Sequence, residues 1–459
     1  MSERVYCMKS INLVGEPIID LLKKIAIPAS TGTLFQTLYN IVDTFFAGKI
    51  SANALAAIAK SFPLYFIIIA TGVGIVSASN ALISNSLGAK DDRTASLYVA
   101  QSLLYSIIVS ILVTIVGLSF SDDLLKFMGS DQETIRLATD YLDVIFFATF
   151  IFLIQISLNG ALNAQGDTKS YRNVLIVSFF LNIGLNPLFI FGLGPIPAFG
   201  IAGLAIATVI AQFLGLIYLA YKVYCCELKQ YLAPQCFFPK LDLIKNLTNQ
   251  SVPMMMNMFM IGLGIYNILF FVSKFGYLAA AGYGSALRIE QILLLPVIGL
   301  NTAVLTIAGQ NFGAKLFDRV DESYTKAIMV GSSFMVLAGV VVFLLADNIV
   351  SIFTDNQEVI DFGADYLKVA AFIGPVYPVF FITNALFQAI KKPIYTVIIT
   401  FSRLVLLPFS TMSIVVFVLN GSFKDLFLGL FFINWSFGIL VFLFSKYYMK
   451  KLFGKIAKA

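Results

Sequence analysis

About a dozen stretches of this 459-residue chain each run for 20 residues or so with hardly a charge, separated by short polar breaks. An α-helix of that length crosses roughly 30 Å of hydrocarbon, whereas a membrane strand would be half as long and would alternate polar with apolar residues. Helices are therefore expected, because they satisfy their own backbone hydrogen bonds within each segment. The spans are read at residues 24–48, 55–86, 97–120, 138–162, 171–193 and 200–222, then at 246–273, 280–311, 325–346, 361–390, 394–419 and 425–447. Composition points the same way. With 59% hydrophobic residues, 12% charged and a mean hydropathy of +0.89, the chain is no ordinary soluble globule.

No charged start followed by an apolar core and a small-residue cleavage site is visible near the beginning, so the first span is expected to act as the insertion signal. The net charge of +6 could suggest a nucleic-acid partner, but its distribution argues otherwise. For twelve spans with both termini on one side, 22 Lys and Arg fall on that side and 6 on the other. This is the positive-inside pattern, so both termini are read as cytoplasmic and the chain as a multi-pass protein of the plasma (inner) membrane. Cys7, Cys225, Cys226 and Cys236 then sit on the cytoplasmic side and are expected to be reduced. With no histidine and no CxxC pair, neither a metal site nor a cofactor is expected.

The chain also contains itself twice. A shift of 225 residues brings Pro28 onto Pro253, Gly74 onto Gly299, "GAK" at 88–90 onto "GAK" at 313–315, "DYL" at 140–142 onto "DYL" at 365–367, and Asn159 onto Asn384. Each copy holds six spans, an even number, so the copies enter the membrane in the same orientation. The expected architecture is all-α, with two six-helix bundles related by a pseudo-twofold axis along the membrane normal. Residues 1–222 form the first bundle, 223–245 a cytoplasmic linker and 246–459 the second bundle. Two such bundles leave a cleft that rocking can open to alternate sides, which points to transport rather than to catalysis. The plainer reading, a scaffold for other subunits, leaves the polar residues inside the spans unexplained.

Those residues are costly at depth and tend to face cavities or ion pathways. Asp43 lies 19 residues beyond Lys24, about 28 Å along a helix. Asn182 and Asn186 are four apart and share a helix face just before Pro187, which removes one backbone donor. Thr208 lies at a similar depth in the sixth span. A carboxylate among amide and hydroxyl oxygens suits H⁺ or Na⁺: burial penalises the charged form and so favours proton exchange, while oxygens at short range suit a hard cation. The alternative for Asp43 is a reach to the interface or a pairing with Lys49. Its repeat equivalent is Ile268 and that of Asn182 is Leu407, so only the first bundle carries this set.

The second half has buried-charge candidates of its own. Arg288 and Glu290 are two apart and do not share a helix face, so each is expected to find a partner elsewhere, and Arg403 stands in the eleventh span. For these three, inter-helix ties and cavity lining are both open readings. Tyr39 and the methionines Met256 and Met260 of "PMMMNMFM" are candidates for an adaptable substrate-cavity wall, with lipid or core contact the alternative for the methionines.

Several motifs occurring in order resemble the multidrug and toxic compound extrusion (MATE) family, most closely its DinF-like branch: "LYNIVDTFFAGK" (38–49), "GAKD" (88–91), "LNGALNAQGDTK" (158–169), "LNPLFIFGLG" (185–194) and "ALRIEQILLLPVIGL" (286–300). The resemblance spans roughly residues 15–450. It implies twelve helices in two lobes, alternating access, and export of small organic, often cationic and amphipathic compounds driven by inward H⁺ or Na⁺. By motif, Asp43 and Asn182 match coupling residues of this branch, and Thr208 matches more weakly. The family usually has aspartate where this chain has Asn186, which leaves Asp43 as the one evident proton carrier. The expected function is a secondary active antiporter acting as a monomer among membrane lipids. The alternative is a flippase for a lipid-linked saccharide, which twelve spans and few buried basic residues disfavour.

Overall fold

The structure is a computed structural model that describes residues 11–456, so Arg4, Cys7 and Lys9 lie outside the described residues. It is helical almost throughout. The first repeat holds α1 (Ile18–Ile50), α2 (Ala52–Gly88), α3 (Asp92–Phe127), α4 (Gln132–Phe147), α5 (Thr149–Ala164), α6 (Lys169–Phe191) and α7 (Ile201–Tyr224). The second holds α8 (Leu241–Val272), α9 (Tyr277–Leu293), α10 (Leu295–Gly313), α11 (Phe317–Ser351), α12 (Gln357–Ile373), α13 (Tyr377–Ala389), α14 (Ile394–Phe401), α15 (Leu407–Ser413) and α16 (Phe423–Ile456). Among the described residues, nine helical segments are long and apolar enough to cross a membrane, and two bent pairs raise the number to eleven. The helix outside that set is α1. Its 33 residues suffice in length, but Gln36, Asn40 and Asp43 dilute its apolar character.

Three segments that the sequence presents as single spans are broken. The chain bends by 48° between α4 and α5 and by 41° between α9 and α10. The second bend falls just before Pro296, which lacks an N–H and disfavours helical geometry in the residue ahead of it. A 3₁₀ turn at Gly374–Val376, containing Pro375, separates α12 from α13. The eleventh span departs furthest from a regular helix: wide π-helical turns at Ser402–Leu406 and Ile414–Val418 flank α15. Pro408 cannot bond back to the carbonyl of Leu404, and the Asn267 amide of α8 donates instead to Leu404 O at 3.3 Å and Val405 O at 3.1 Å.

The 225-residue repeat persists at the level of backbone conformation. Lys90 and Lys315 both take left-handed φ values, 58° and 59°, just after α2 and α10. Gly166 and Lys391 form a second such pair, at 83° and 60°. A left-handed residue costs a lysine roughly 1–2 kcal/mol that a glycine is spared, so the geometry is retained even where the favourable residue is not. Asp131 and Asn356, also 225 apart, each cap a helix: Asp131 accepts from the Thr134 N–H at 3.2 Å, and Asn356 from the N–H groups of Glu358 and Val359.

Packing divides the chain into two compact units at points different from the ends of the repeats. One is built from Thr31–Met255 and the other from Asn12–Ser30 with Met256–Ala459. The divisions therefore fall inside α1 and α8, at positions 225 apart, each two residues past the matched prolines Pro28 and Pro253. Matching glycines record the same contact in both units. A Cβ on Gly74 of α2 would lie 2.7 Å from Ser251 O, and one on Gly299 of α10 would lie 2.5 Å from Ala26 O. Within a bilayer there is little hydrophobic drive between helices, so such small-residue approaches carry much of the association.

Each unit also ties down the segment ahead of its leading half-helix. In the first, the linker forms two 3₁₀ turns, and the Gln101 amide of α3 donates to Cys236 O and Phe238 O at 2.7 and 2.8 Å while accepting from Lys240 N. In the second, Asn311 donates to Leu13 O at 3.0 Å and the Arg319 guanidinium to Glu16 O at 2.7 Å.

Candidate functional site

Asp43 sits on the seventh turn of α1, inside the first unit, with its carboxylate half-buried and turned toward α6 and α7. Asn182 and Asn186, both fully buried, present their amides from adjacent turns of α6. Asn182 Nδ2 donates to Asp43 Oδ1 at 2.9 Å and Asn186 Nδ2 to the same oxygen at 3.1 Å. Asn186 also donates to Asn182 Oδ1 at 2.9 Å, which fixes the two amides against each other. The Thr208 hydroxyl of α7 approaches Asp43 Oδ2 at 3.4 Å. All four residues of the expected site therefore meet in one place.

Local sequence explains how α7 gets there. A Cβ on Gly203 would lie 2.3 Å from Phe189 O, so only glycine lets α7 come this close to α6. The loop between them folds back, with Phe199 N donating to Phe189 O at 2.9 Å and Gly200 N to Ile190 O at 3.2 Å. Both features bring Thr208 level with Asn186 despite the Gly- and Pro-rich loop. Lys49 does not pair with Asp43; its ammonium stands over the Phe45 ring at 5.4 Å.

The hydrogen bonding is unequal at the two carboxylate oxygens. Oδ1 accepts two amide bonds, while among the described residues Oδ2 has only the long contact from Thr208. Asn186 Oδ1, buried, has no partner among the described residues. Two under-used acceptors side by side, one of them buried, suit an arriving proton or small cation. Tyr39 is buried beside Thr208 and Asp43, and the phenols of Tyr65 and Tyr141 lie near enough to feel the Asp43 charge. Tyr65 and Tyr141 escaped the sequence reading, since nothing in their spacing distinguishes them from ordinary core aromatics. Met256 is exposed and Met260 half-buried on α8.

The second unit assembles its charged residues differently. Glu290 of α9 is buried and accepts a hydrogen bond from the Tyr366 hydroxyl of α12. Tyr377 interacts with both Glu290 and Arg403, and the guanidinium lies 4.5 Å from the Tyr377 ring centre and 4.2 Å from that of Phe380. Arg403 Nε donates to Asn434 Oδ1 of α16 at 3.1 Å. Five segments are thus joined through one buried anion and one half-buried cation. Arg288 stays outside this network and is exposed. Tyr366, Tyr377 and Asn434 had no signal in the sequence, because each is an isolated polar tip in an apolar run.

Comparison with known proteins sets this architecture among multi-pass membrane transporters rather than enzymes. The chain belongs to the MatE family, whose model matches twice, at residues 28–188 and 247–412, once in each repeat. The family is one of multidrug efflux transporters of small organic compounds. Among its relatives are the probable multidrug resistance protein YoeA of Bacillus subtilis, 28% identical over 72% of this chain and 73% of that one, and the FAD transporter of Shewanella oneidensis, 25% identical over 86% and 87%. A solved outward-facing multidrug resistance MATE transporter of the MOP superfamily shares the fold, with a TM-score of 0.89 and 24% identity over 97% of this chain and 99% of that one.

Proposed function

We propose that the protein exports small, mainly cationic or amphipathic organic compounds from the cytoplasm across the plasma membrane, in exchange for an inward proton carried by Asp43. The observation that carries this reading is the Asp43 carboxylate held by two amides and a hydroxyl, with one oxygen under-used and no second acid beside it. A lone carboxylate can be neutralised by one proton, and neutralisation weakens the charge-assisted bonds from Asn182 and Asn186. Those bonds tie α1 to α6, so protonation changes the balance between two packings of the first unit. Sodium coupling is the weaker reading because Asn186 supplies a carbonyl oxygen where a second carboxylate would bind a hard cation more strongly. The kinship with proteins named for multidrug resistance and for FAD transport favours a substrate with planar aromatic character.

A flippase for lipid-linked saccharides would need free buried basic residues to meet pyrophosphate. Arg403 is engaged by Tyr377, Phe380 and Asn434, which speaks against it. The test is efflux from proteoliposomes under separately imposed H⁺ and Na⁺ gradients. Export driven by ΔpH alone supports the proposal, export driven only by Na⁺ replaces the proton with sodium, and activity confined to a lipid-linked pyrophosphate makes the flippase reading the right one.

A further inference from the structure

We infer that the first unit carries a binding site for one anionic phospholipid, in a groove between α6 and α7. The groove has a volume of about 410 Å³. Small buried residues make its floor: Ser178 of α6, whose hydroxyl donates to Ala211 O of α7 at 3.5 Å, and Gly215, whose missing side chain lets α7 lie against Val174. Val177 stands on the rim, 55% exposed. Only one end is polar, where Asn173 and Tyr218 line it.

At that end stand two cations. The Arg172 guanidinium donates to Asn173 Oδ1 through Nη2 at 2.7 Å and Nε at 3.1 Å, and the Lys222 ammonium lies 5.5 Å from the centre of the Tyr218 ring. Neither forms an ion pair among the described residues. The nearby Asp167 is buried and committed to Ser170, whose N–H it accepts at 3.0 Å and whose hydroxyl at 2.5 Å. An apolar trough that ends in two uncompensated cations matches an acyl chain that ends in a phosphodiester. It does not match a cationic substrate, which the same charges would repel. Arg172 and Lys222 lie on the side that the basic excess marks as cytoplasmic, where anionic lipids concentrate and basic pockets between helices recognise their headgroups.

The test uses the full-length, delipidated protein in detergent, titrated with dioleoyl phosphatidylglycerol or dioleoyl phosphatidylcholine, with bound lipid counted by native mass spectrometry. The expected result is one phosphatidylglycerol retained on the order of ten-fold more tightly than phosphatidylcholine. Arg172→Gln with Lys222→Gln should abolish that preference, and Val177→Trp, which fills the groove and leaves the charges in place, should weaken retention of either lipid. Equal retention of both lipids by the unmodified protein overturns the inference, as does an undiminished preference in the double variant or full retention in Val177→Trp. Displacement of phosphatidylglycerol by millimolar inorganic phosphate would assign the cations to a free anion and overturn it too.

Discussion

The two units share a scaffold down to the φ angles of Lys90 and Lys315, yet they treat a carboxylate within the bundle in opposite ways. Asp43 is surrounded by neutral donors and retains an under-used oxygen. Glu290 is set in a network that contains its own cation, with Tyr377 between it and Arg403. Charge in the first unit is uncompensated and free to change. In the second it is balanced, so altering it leaves an orphaned partner. Duplication gave two equivalent frames, and the proposed function turns the difference between them into a division of labour between coupling and cohesion.

The sharpest way to break that comparison is to remove each charge in turn. Asp43→Asn keeps shape and hydrogen-bonding capacity, so gradient-driven efflux from proteoliposomes should fall to that of protein-free vesicles while helicity and substrate binding persist. Efflux at the normal rate would make the carboxylate structural and end the coupling proposal. Glu290→Gln should do the reverse. Removing the anion from this network leaves Tyr366, Tyr377 and the half-buried guanidinium without it, at a cost of about 1–3 kcal/mol, visible as a drop in melting temperature, with coupling intact wherever the protein remains folded. Adding Arg403→Met should recover part of that loss. A double-mutant cycle with no interaction energy would show that the two charges are independent.

Next in size are the paired glycines. Gly74→Leu and Gly299→Leu each force a side chain into a neighbouring backbone and should each destabilise by about 1–3 kcal/mol in thermal unfolding. A loss at only one of them would mean that the packing repeat is less faithful than the backbone suggests. Asn186→Asp asks a finer question. It places a second carboxylate against Asp43, and neighbouring acids resist joint ionisation unless a cation lies between them. Efflux should become Na⁺-dependent or shift its pH optimum upward, and an unchanged ion and pH dependence would separate Asn186 from the coupling site.

The smallest effect compares the helix caps. The Thr134 hydroxyl and N–H hold the Asp131 carboxyl below its ordinary range, so its contribution is complete at neutral pH and is lost as pH falls through that lowered value. Asn356, its repeat partner, does not titrate. Asp131→Asn should therefore flatten a weak acid dependence of unfolding that Asn356→Ala leaves in place.

Much of this was legible in the sequence because membrane helices and repeats write themselves in long, redundant signals. The apolar segments and the 225-residue shift rest on spacing along the chain, and the grouping of Asp43, Asn182, Asn186 and Thr208 rests on matching depth together with the family resemblance. What the sequence concealed depends on contacts between segments far apart. The breaks near Ala148 and Leu294 interrupt runs whose apolar character continues straight through. Tyr65 and Tyr141 look like any core tyrosine until the helices are assembled. Arg403 and Glu290 lie more than a hundred residues apart, and nothing local announces that Tyr377 stands between them.

The tie between Asn311 and Leu13 joins residues 298 apart in the chain. At about 5–20 residues per second of synthesis, the opening segment leaves the ribosome some 15–60 seconds before the side chains that fasten it exist. During that interval the first half of α1 must wait in or beside the bilayer, unpacked, while its second half already has partners. A ribosome stalled in mid-message would thus leave the first unit largely furnished and the entry segment unmoored. Degradation of incomplete chains would be expected to begin there.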